Sequence, residues 1–383
     1  MDCAKRSAQT FVGLDVHKKQ IVGALLLPSD EIREIRCQNT VRGLAKLVKW
    51  MGKQSEGDYE CCYEAGFCGY ALARALRASG VVCRVIAPSL APVTPGDRVK
   101  TDRRDARKLA EYLRARLLKE VAAPSDEDEA LRDLCRNRED ARQDLHRARQ
   151  RLIKFLDRKG WAYHEGSHWT EKHRSWLNGI RFPQALTQYA YEDCRAEVER
   201  LESRLRELDG LLHEVAHSEA YREVVGYLCC FRGIDWLSAI LLVSELFDPG
   251  RFPSARKLMA YVGLTPSEES SGEKERRKGL TGGGNRVVRR LVIEIAWNQR
   301  WRRQVGKTLG KRREGQPKEV VAYADKALDR LSRRYWRLLH KGKQENVVVV
   351  AVARELVGYL WGLLCSGEFL EPGGSREELE RAA

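Results

Sequence analysis

The stretch Phe11-Val-Gly-Leu-Asp-Val-His-Lys-Lys-Gln-Ile-Val-Gly-Ala-Leu-Leu26 decides the fold of the N-terminal part of the chain. Apolar residues occupy alternate positions at Val12, Leu14 and Val16, and a period of two is typical of a β-strand. The charged pair Lys18-Lys19 follows where a tight turn is expected, and the rest of the stretch is apolar again. The sequence therefore predicts a β-hairpin at the start of a sheet.

Asp15 lies in the middle of the first predicted strand. A charged carboxylate that is buried there without a partner costs several kcal/mol, and a bound metal ion would offset that cost. A lone aspartate is more often hydrogen-bonded to nearby backbone. Asp15 therefore becomes a candidate metal ligand only if other acidic residues join it.

Residues 11–124 alternate between strand and helix patterns, which predicts an α/β layer with a mixed sheet. Glu64 ends another predicted strand, and Asp102 and Asp105 open a predicted helix on one helical face. The last two could also be a helix cap and an acidic first turn. In a ribonuclease H-like sheet these elements meet at one edge, where the four carboxylates could gather two Mg²⁺ ions.

The composition favours a nucleic-acid partner. The chain has 69 Lys and Arg against 54 Asp and Glu, a net charge of +15. Anionic membranes attract the same charge, but we expect no apolar run long enough to cross a bilayer and no secretion signal. The eleven cysteines lack the spacing of a zinc site or of a disulfide framework, which favours buried thiols in the cytoplasm.

Two heptad seams, in residues 126–158 and 198–215, predict a long coiled-coil insertion. Two segments match the zinc-protease pattern H-E-x-x-H, namely His164–His168 and His213–His217. The first contains Gly166, a poor helix former, and the second places its histidines away from the seam. A catalytic zinc also needs a shaped pocket and a third ligand, so a protease is disfavoured.

The C-terminal part is predicted to be mainly helical, with a polar loop at Gly263–Gly272 that contains Ser270 and Ser271. Basic residues and a glycine-rich loop follow, and the loop leads into a helix whose first N–H groups could bind a phosphate. A solvated basic loop is the alternative interpretation. The candidate nucleic-acid-binding residues are Lys274, Arg276, Arg277, Lys278, Arg286, Arg289 and Arg290.

Seven motifs occur in a fixed order: G-L-D-V-H-K from Gly13, Y-E-A-G from Tyr63, K-T-D-R-R-D-A from Lys100, R-F-P-S-A-R-K-L from Arg251, G-L-T-P from Gly263, S-S-G from Ser270 and G-N-R-V-V-R-R from Gly284. Together they resemble the DEDD transposases of bacterial insertion sequences, also described as bridge-RNA-guided recombinases. The resemblance covers nearly the whole chain, and the order and spacing of the seven motifs are far more specific than any one of them.

The resemblance implies a fold of class α/β plus all-α. It implies a RuvC-like (RNase H-like) catalytic domain in residues 1–124, a coiled-coil domain in 125–225, and a mainly helical transposase domain in 226–383. It also implies that the metal ligands are Asp15, Glu64, Asp102 and Asp105, and that the nucleophile is Ser271 or, as the less favoured candidate, Ser270.

The same resemblance implies donor and target DNA as substrates, a bridge RNA as guide, and a phosphoserine intermediate. It implies a homodimer or homotetramer in the bacterial cytoplasm, associated with the nucleoid and not with a membrane. Two alternatives stay open at this point. One is a metal-dependent nuclease or junction resolvase that uses water and needs no serine. The other is a non-catalytic nucleic-acid-binding scaffold built around the coiled coil.

Overall fold

The computed structural model describes residues 9–88, 92, 101–271, 274–301 and 303–366. The chain divides into two compact units, Met1–Ala123 and Pro124–Ala383. Each unit has its own hydrophobic clusters of buried residues. The finer division into three domains stays a prediction.

The first unit contains a five-stranded mixed sheet. Its strands are β1 (Thr10–Val16), β2 (Gln20–Leu26), β3 (Ile32–Gln38), β4 (Tyr59–Glu64) and β5 (Val82–Ile86), and its described helices are α1 (Val41–Gln54), α2 (Ala71–Ala78) and α3 (Asp102–Arg114). The strand order is β3-β2-β1-β4-β5. Strands β1 to β3 are antiparallel neighbours, whereas β4 is parallel to both β1 and β5. The predicted first hairpin and the mixed α/β layer are confirmed.

Alternation along β1 sends its side chains to the two faces of the sheet. Val12 and Leu14 belong to a buried cluster that includes residues of α1 and α2. Phe11 packs instead with Leu109 and Leu113 of α3. Because Asp15 has the parity of Phe11, it lies on the face of the sheet that α3 covers.

The second unit is mostly helical. Its helices are α4 (Asp126–Arg158), α5 (Glu171–Gly179), α6 (Ala185–Ala216), α7 (Arg222–Cys229), α8 (Trp236–Leu246), α9 (Ala255–Val262), α10 (Arg286–Ala296), α11 (Lys307–Arg313), α12 (Lys318–His340) and α13 (Glu345–Ser366), with a hairpin of β6 (Pro266–Ser271) and β7 (Lys274–Leu280).

The long helices α4 and α6 pack against each other along the predicted seams. Leu145 and Leu152 of α4 share a buried cluster with Val198 and Leu201 of α6. The helices are antiparallel, because Arg138 bonds to Asp209 while Arg149, further along α4, pairs with Glu202, earlier on α6. A supercoiled coiled-coil geometry stays a prediction.

Helix α13 corrects one expectation from the sequence. Its segment Glu345–Cys365 is long and apolar enough, by length and composition alone, to cross a membrane. However, α13 packs against α9, α10 and α12, and residues such as Val352 and Trp361 are almost completely buried there. Since most of the segment is covered by protein, we interpret it as the central helix of the second unit.

The segment from Gly263 to Gly272 is the second correction. It was predicted to be a polar loop, but Pro266–Ser271 forms β6, which pairs antiparallel with β7. The register sets Glu268 opposite Arg277 and Glu269 opposite Arg276. Opposite charges at facing positions generally favour strand pairing. The prediction of a loop was based only on the polarity of the segment and did not consider which positions face each other.

Candidate active site

Asp15 lies near the end of β1, opposite Val22 of β2, and its side chain is 22% exposed. Leu14, just before it, pairs with Tyr63 on the parallel strand β4. Glu64 is the last residue of β4 and comes directly after Tyr63. The ends of the two parallel strands therefore bring these two acidic positions to the same edge of the sheet.

Helix α3 approaches β1 closely because Gly13 has no side chain. A Cβ built on Gly13 would lie 2.6 Å from the backbone nitrogen of Ala110, and closer still to the carbonyl oxygen of Ala106. The Thr101 hydroxyl caps the start of the helix by accepting a hydrogen bond from the Arg104 N–H. As a result, the first turn of α3, which begins with Asp102, lies beside Asp15.

Three side chains form the acidic cluster: Asp15, His17 and Asp102. His17 Nε2 lies 3.1 Å from Asp15 Oδ2 and 3.4 Å from Asp102 Oδ1. One potential ligand atom from each residue lies within 4.8 Å of the others, and this is the only such group of three found among the described residues. Gln20 Nε2 also donates a hydrogen bond to Asp102 Oδ2 at 3.2 Å.

The pKa of Asp15 is raised above its usual value. Burial is the largest cause, and the negative charges of Asp102 and Asp105 act in the same direction. The charge and hydrogen bond of His17 act against them, but the pKa of Asp15 still lies above its usual value. Carboxylates held this close repel one another, and a cation among them would relieve the repulsion.

The predicted acidic residues are brought together to different degrees. Asp15 and Asp102 belong to the acidic cluster, and Asp105 is close enough for its charge to act on Asp15. Glu64 is exposed at the end of the neighbouring strand and lies outside the group of three. The metal-ligand roles of all four residues stay predictions.

Sequence reasoning missed the contributions of His17 and Gln20. The signal for His17 was present, because a residue two positions after Asp15 along an extended chain points to the same face. Gln20 begins β2, which the hairpin returns alongside β1. Its contact with Asp102 depends on where α3 packs, so the sequence carried no local signal for it.

The strand that bears the candidate nucleophiles is part of the β6–β7 hairpin. Ser270 pairs with Glu275 and Ser271 with Lys274 in the backbone register. The side chains of residues 268–278 and the whole of Gly272 lie outside the described part of the chain. The proposed roles of both serines, and of the basic residues Lys274, Arg276, Arg277 and Lys278, therefore stay predictions.

The glycine-rich loop ends at Asn285, which caps α10. Its Oδ1 accepts hydrogen bonds from the N–H groups of Val287 and Val288 at 3.0 and 3.1 Å. Its Nδ2 donates to Glu245 Oε2 at 2.7 Å. Asn285 thus uses two of the free N–H groups that the sequence analysis assigned to a bound phosphate, and it ties the loop to the buried Glu245.

The three arginines of α10 differ in what they contact. Arg289 donates to the carbonyl oxygens of Val262 and Gly283. Arg290 pairs with Glu139 at 2.9 Å and Glu294 at 3.0 Å. Arg286 is exposed, so of these three predicted nucleic-acid contacts it is the one whose guanidinium projects into solvent.

The two H-E-x-x-H segments do not form a zinc site in the described part of the chain. His164 and His168 are exposed in an irregular segment. His213 and His217 lie on the exposed face of α6 with ring centroids 4.1 Å apart, and the His213 ring also contacts Trp236. No third metal-ligating side chain joins either pair among the described residues.

Residues 12–160 match a family model of DEDD transposases described as "Transposase". Residues 227–310 match a second family model, described as "Transposase IS116/IS110/IS902 family". The chain is 38% identical over 359 residues to "Putative transposase y4qE" of Sinorhizobium fredii, covering 93% of this chain and 88% of that protein. It is 37% identical over 352 residues to "Transposase for insertion sequence element IS1533" of Leptospira borgpetersenii, covering 88% of this chain and 98% of that protein.

The two family models and the two relatives span both units of the chain. The resemblance that the seven motifs indicated is therefore confirmed, and with it a family of enzymes that cut and join DNA. The chain belongs to the IS110 family of insertion-sequence transposases.

Proposed function

We propose that the chain is a bridge-RNA-guided DNA recombinase that exchanges strands through a phosphoserine intermediate. The observation that carries the proposal is the acidic cluster, in which Asp15 and Asp102 converge at the edge of a mixed sheet. The strand order β3-β2-β1-β4-β5 and the pattern of antiparallel and parallel pairs support a RuvC-like, RNase H-like catalytic domain.

The donors in the acidic cluster fit a hard divalent cation such as Mg²⁺. Carboxylate oxygens are the ligands that Mg²⁺ prefers, and the negative charges of Asp102 and Asp105 both act on Asp15. Asp15 and Asp102 would hold the ion, with Asp105 and Glu64 as the remaining candidate ligands for one or two ions. When bound, Mg²⁺ would supply Lewis-acid stabilisation of the negative charge that develops on a phosphodiester.

The residues around the ligands orient them. His17 bridges the two carboxylates and Gln20 donates to Asp102 Oδ2, so neither aspartate is free to rotate away. Partners of this kind typically change metal affinity or activity by about 10–100-fold when they are removed. His17 and Gln20 are positioning residues in this proposal.

Ser271 would attack a DNA phosphorus atom through its Oγ. A phosphoserine ester forms, the bond from phosphorus to one deoxyribose oxygen breaks, and that oxygen takes up a proton to leave as a hydroxyl. In the second step a hydroxyl of the partner strand attacks the phosphoserine, and the serine is regenerated. The energy of the phosphodiester is thereby conserved for joining, which hydrolysis by water would not achieve.

Sequence choice would come from a bridge RNA that pairs with donor and target DNA, so that base pairing selects the sites and the protein recognises backbone and shape. A homodimer or homotetramer would bring Ser271 of one subunit to the acidic cluster of another. The net charge of +15 supports nucleic-acid partners for the chain.

The test is to trap the covalent adduct. Purified protein with its co-purified RNA is incubated with end-labelled DNA that carries the junction of the element, in Mg²⁺, and is analysed on a denaturing gel. We expect Ser271→Ala to abolish the labelled protein band and Ser270→Ala to retain it. Ser267→Ala is the matched control, because Ser267 lies on the same strand and its hydroxyl donates to the carbonyl oxygen of Gly279.

The outcomes separate the candidates. An adduct that survives in both Ser270→Ala and Ser271→Ala would overturn the serine mechanism. If the wild type cuts DNA without forming an adduct, and Asp15→Asn does not cut, the result would favour the nuclease or junction resolvase that uses water. Sequencing the co-purified RNA, and treating the complex with ribonuclease, tests the guide independently of the covalent step.

A further inference from the structure

A concave surface beside the acidic cluster, here called the basic groove, is lined by four cationic side chains. They are Lys19 at the β1–β2 turn, Arg36 on β3, and Arg42 and Lys46 on α1. Gln20 and Thr40 also line it, whereas no acidic side chain does so in the described part of the chain. The surface is therefore strongly positive.

The four cations of the basic groove lack the partners that other arginines of the first unit have. Arg33 pairs with Glu31, and Arg107 pairs with Glu34. Among the described residues, no carboxylate lies within ion-pair distance of any of the four groove cations. All four are exposed. Like charges that converge without counter-charges favour binding of a polyanion.

The start of helix α1 adds to the positive electrostatic potential of the basic groove. The Thr40 hydroxyl accepts a hydrogen bond from the Gly43 N–H at 3.2 Å, which starts the helix at the rim of the basic groove. A Cβ on Gly43 would overlap the carbonyl oxygen of Gln38, so this glycine lets the first turn of α1 lie against the end of β3. The N-terminus of a helix carries partial positive charge, and Arg42 and Lys46 are one turn apart on α1.

Hydrogen bonds connect the basic groove to the acidic cluster. Gln20 lines the basic groove and also donates to Asp102 Oδ2. The side chain of Asn39 donates to the carbonyl oxygen of His17 at 3.0 Å, and its N–H donates to the carbonyl oxygen of Lys19. The basic groove therefore adjoins the acidic cluster.

We propose that the basic groove binds the phosphate backbone of the DNA strand that is cut at the acidic cluster. This inference rests on the proposed function, since it takes Asp15 and Asp102 as the cutting site. The exposed side chain of Val41, which also lines the groove, would contact deoxyribose. DNA is favoured over RNA because the basic groove adjoins the site of DNA chemistry and because the family acts on DNA.

The experiment compares two charge reversals on the same helix. Lys46 lines the basic groove, whereas Lys53 lies near the other end of α1 outside it and is also exposed. Binding of the full chain to a fluorescein-labelled duplex of random sequence is measured by anisotropy in EDTA over a series of salt concentrations. Random sequence suffices because backbone contacts are independent of sequence.

We expect Lys46→Glu to weaken binding about tenfold and to lower the slope of log affinity against log salt by about 1. Lys53→Glu should stay within about twofold of the wild type. Arg36→Gln, on β3, should lower the slope by about 1 as well. Because Arg36 is not on α1, this variant shows whether the loss of binding comes from the basic groove or from a local change in α1. Equal unfolding midpoints confirm that the variants are folded.

Equal losses in Lys46→Glu and Lys53→Glu, or wild-type affinity in both Lys46→Glu and Arg36→Gln, would overturn the proposal. So would a loss that affects a labelled RNA but not the DNA duplex. Asp15→Asn separates this inference from the proposed function. If Asp15→Asn still cuts DNA, the proposed function fails. If it binds DNA but does not cut, while Lys46→Glu binds normally, only the basic groove is wrong.

Discussion

Gly13 on β1 lies directly against the carbonyl oxygen of Ala106 on α3, with no room for a side chain between them. Asp102 begins α3 one turn before Ala106, and Asp15 follows Gly13 by two residues on the same face of β1. The contact between Gly13 and Ala106 therefore sets the distance between the two aspartates. Because Gly13 has no side chain, α3 lies close enough to β1 for the acidic cluster to form.

Substituting Gly13 tests this relationship. We expect Gly13→Ala to lower the free energy of unfolding by about 1–3 kcal/mol, because the added methyl group forces α3 away from β1. Urea unfolding measures the change. Gly52→Ala on α1 is the control, since its Cβ would meet only Tyr59 Oη at 3.9 Å. That change should be neutral or stabilise by up to about 1 kcal/mol, and equal losses in both variants would contradict the argument.

The part of the fold that could be predicted from the sequence is the part with local patterns. The hairpin around Asp15 was predicted because the alternation over the six residues from Phe11 to Val16 is a local signal. The face of α6 that carries His213 was predicted from the spacing of its apolar residues. The partners of these elements were harder to predict. The contact of Gln20 with Asp102 spans 82 residues of sequence, and no periodicity within either segment encodes it.

The β6–β7 hairpin is a segment whose structure was predicted wrongly from its sequence. Ser270 and Ser271 were assigned to a loop because polar residues and flanking glycines usually mark loops. In the backbone register, Glu268 of β6 lies opposite Arg277 of β7, and Glu269 lies opposite Arg276. This pairing of acidic with basic positions is visible only once the register is known, and the catalytic roles of Ser270 and Ser271 stay predictions.

Metal binding by the acidic cluster can be measured without DNA. We expect Mn²⁺, titrated calorimetrically into the metal-free protein, to bind the wild type but not Asp15→Asn or Asp102→Asn, because each substitution removes a charged ligand. His17→Ala should weaken binding by about 10–100-fold, since His17 orients both carboxylates. Asp30→Asn, which removes an exposed carboxylate paired with Arg114, should leave Mn²⁺ affinity unchanged. Wild-type affinity in both aspartate variants would rule out this site.

Glu245 is expected to make stability depend on pH. Its side chain is 2% exposed, and Arg136 donates to both of its oxygens, at 2.8 and 3.1 Å. Burial acts to raise the pKa of Glu245, but hydrogen bonds from Arg136 and Asn285 outweigh it, so the pKa lies below its usual value. The stabilisation is therefore fully present above the pKa of the unfolded chain and is lost as the pH falls through the lower, folded value.

Glu245→Gln should therefore lower the free energy of unfolding by about 1–3 kcal/mol at pH 7. The difference from the wild type should shrink below about pH 4, as the wild-type carboxyl is protonated. Urea unfolding at several pH values measures both quantities. A deficit that is constant with pH would show that the charge of Glu245 is not what stabilises the start of α10.

The arginines of α10 should separate DNA binding from stability. Arg286 is exposed, whereas Arg290 pairs with Glu139 and Glu294. We expect Arg286→Ala to weaken DNA binding and to lower the salt slope by about 1, without changing stability. Arg290→Ala should lower the free energy of unfolding by about 1 kcal/mol, because the mostly buried carboxylate of Glu139 loses one partner. Its salt slope should stay unchanged, and the reverse pattern would contradict the assignment.

The antiparallel packing of α4 and α6 is expected to depend in part on the ion pair between Arg138 and Asp209. Arg138 is 10% exposed and donates to Asp209 Oδ1 at 2.7 Å. Asp209→Ala should lower the free energy of unfolding by about 1–3 kcal/mol, because it leaves a buried guanidinium without its carboxylate. The double variant Arg138→Leu/Asp209→Ala should regain that loss, since leucine fits an apolar seam and no orphaned charge remains.

Arg204→Ala, which removes an exposed hydrogen bond to Asn137, is the control and should change stability by less than about 0.5 kcal/mol. Losses that simply add in the double variant would show that the two side chains do not interact.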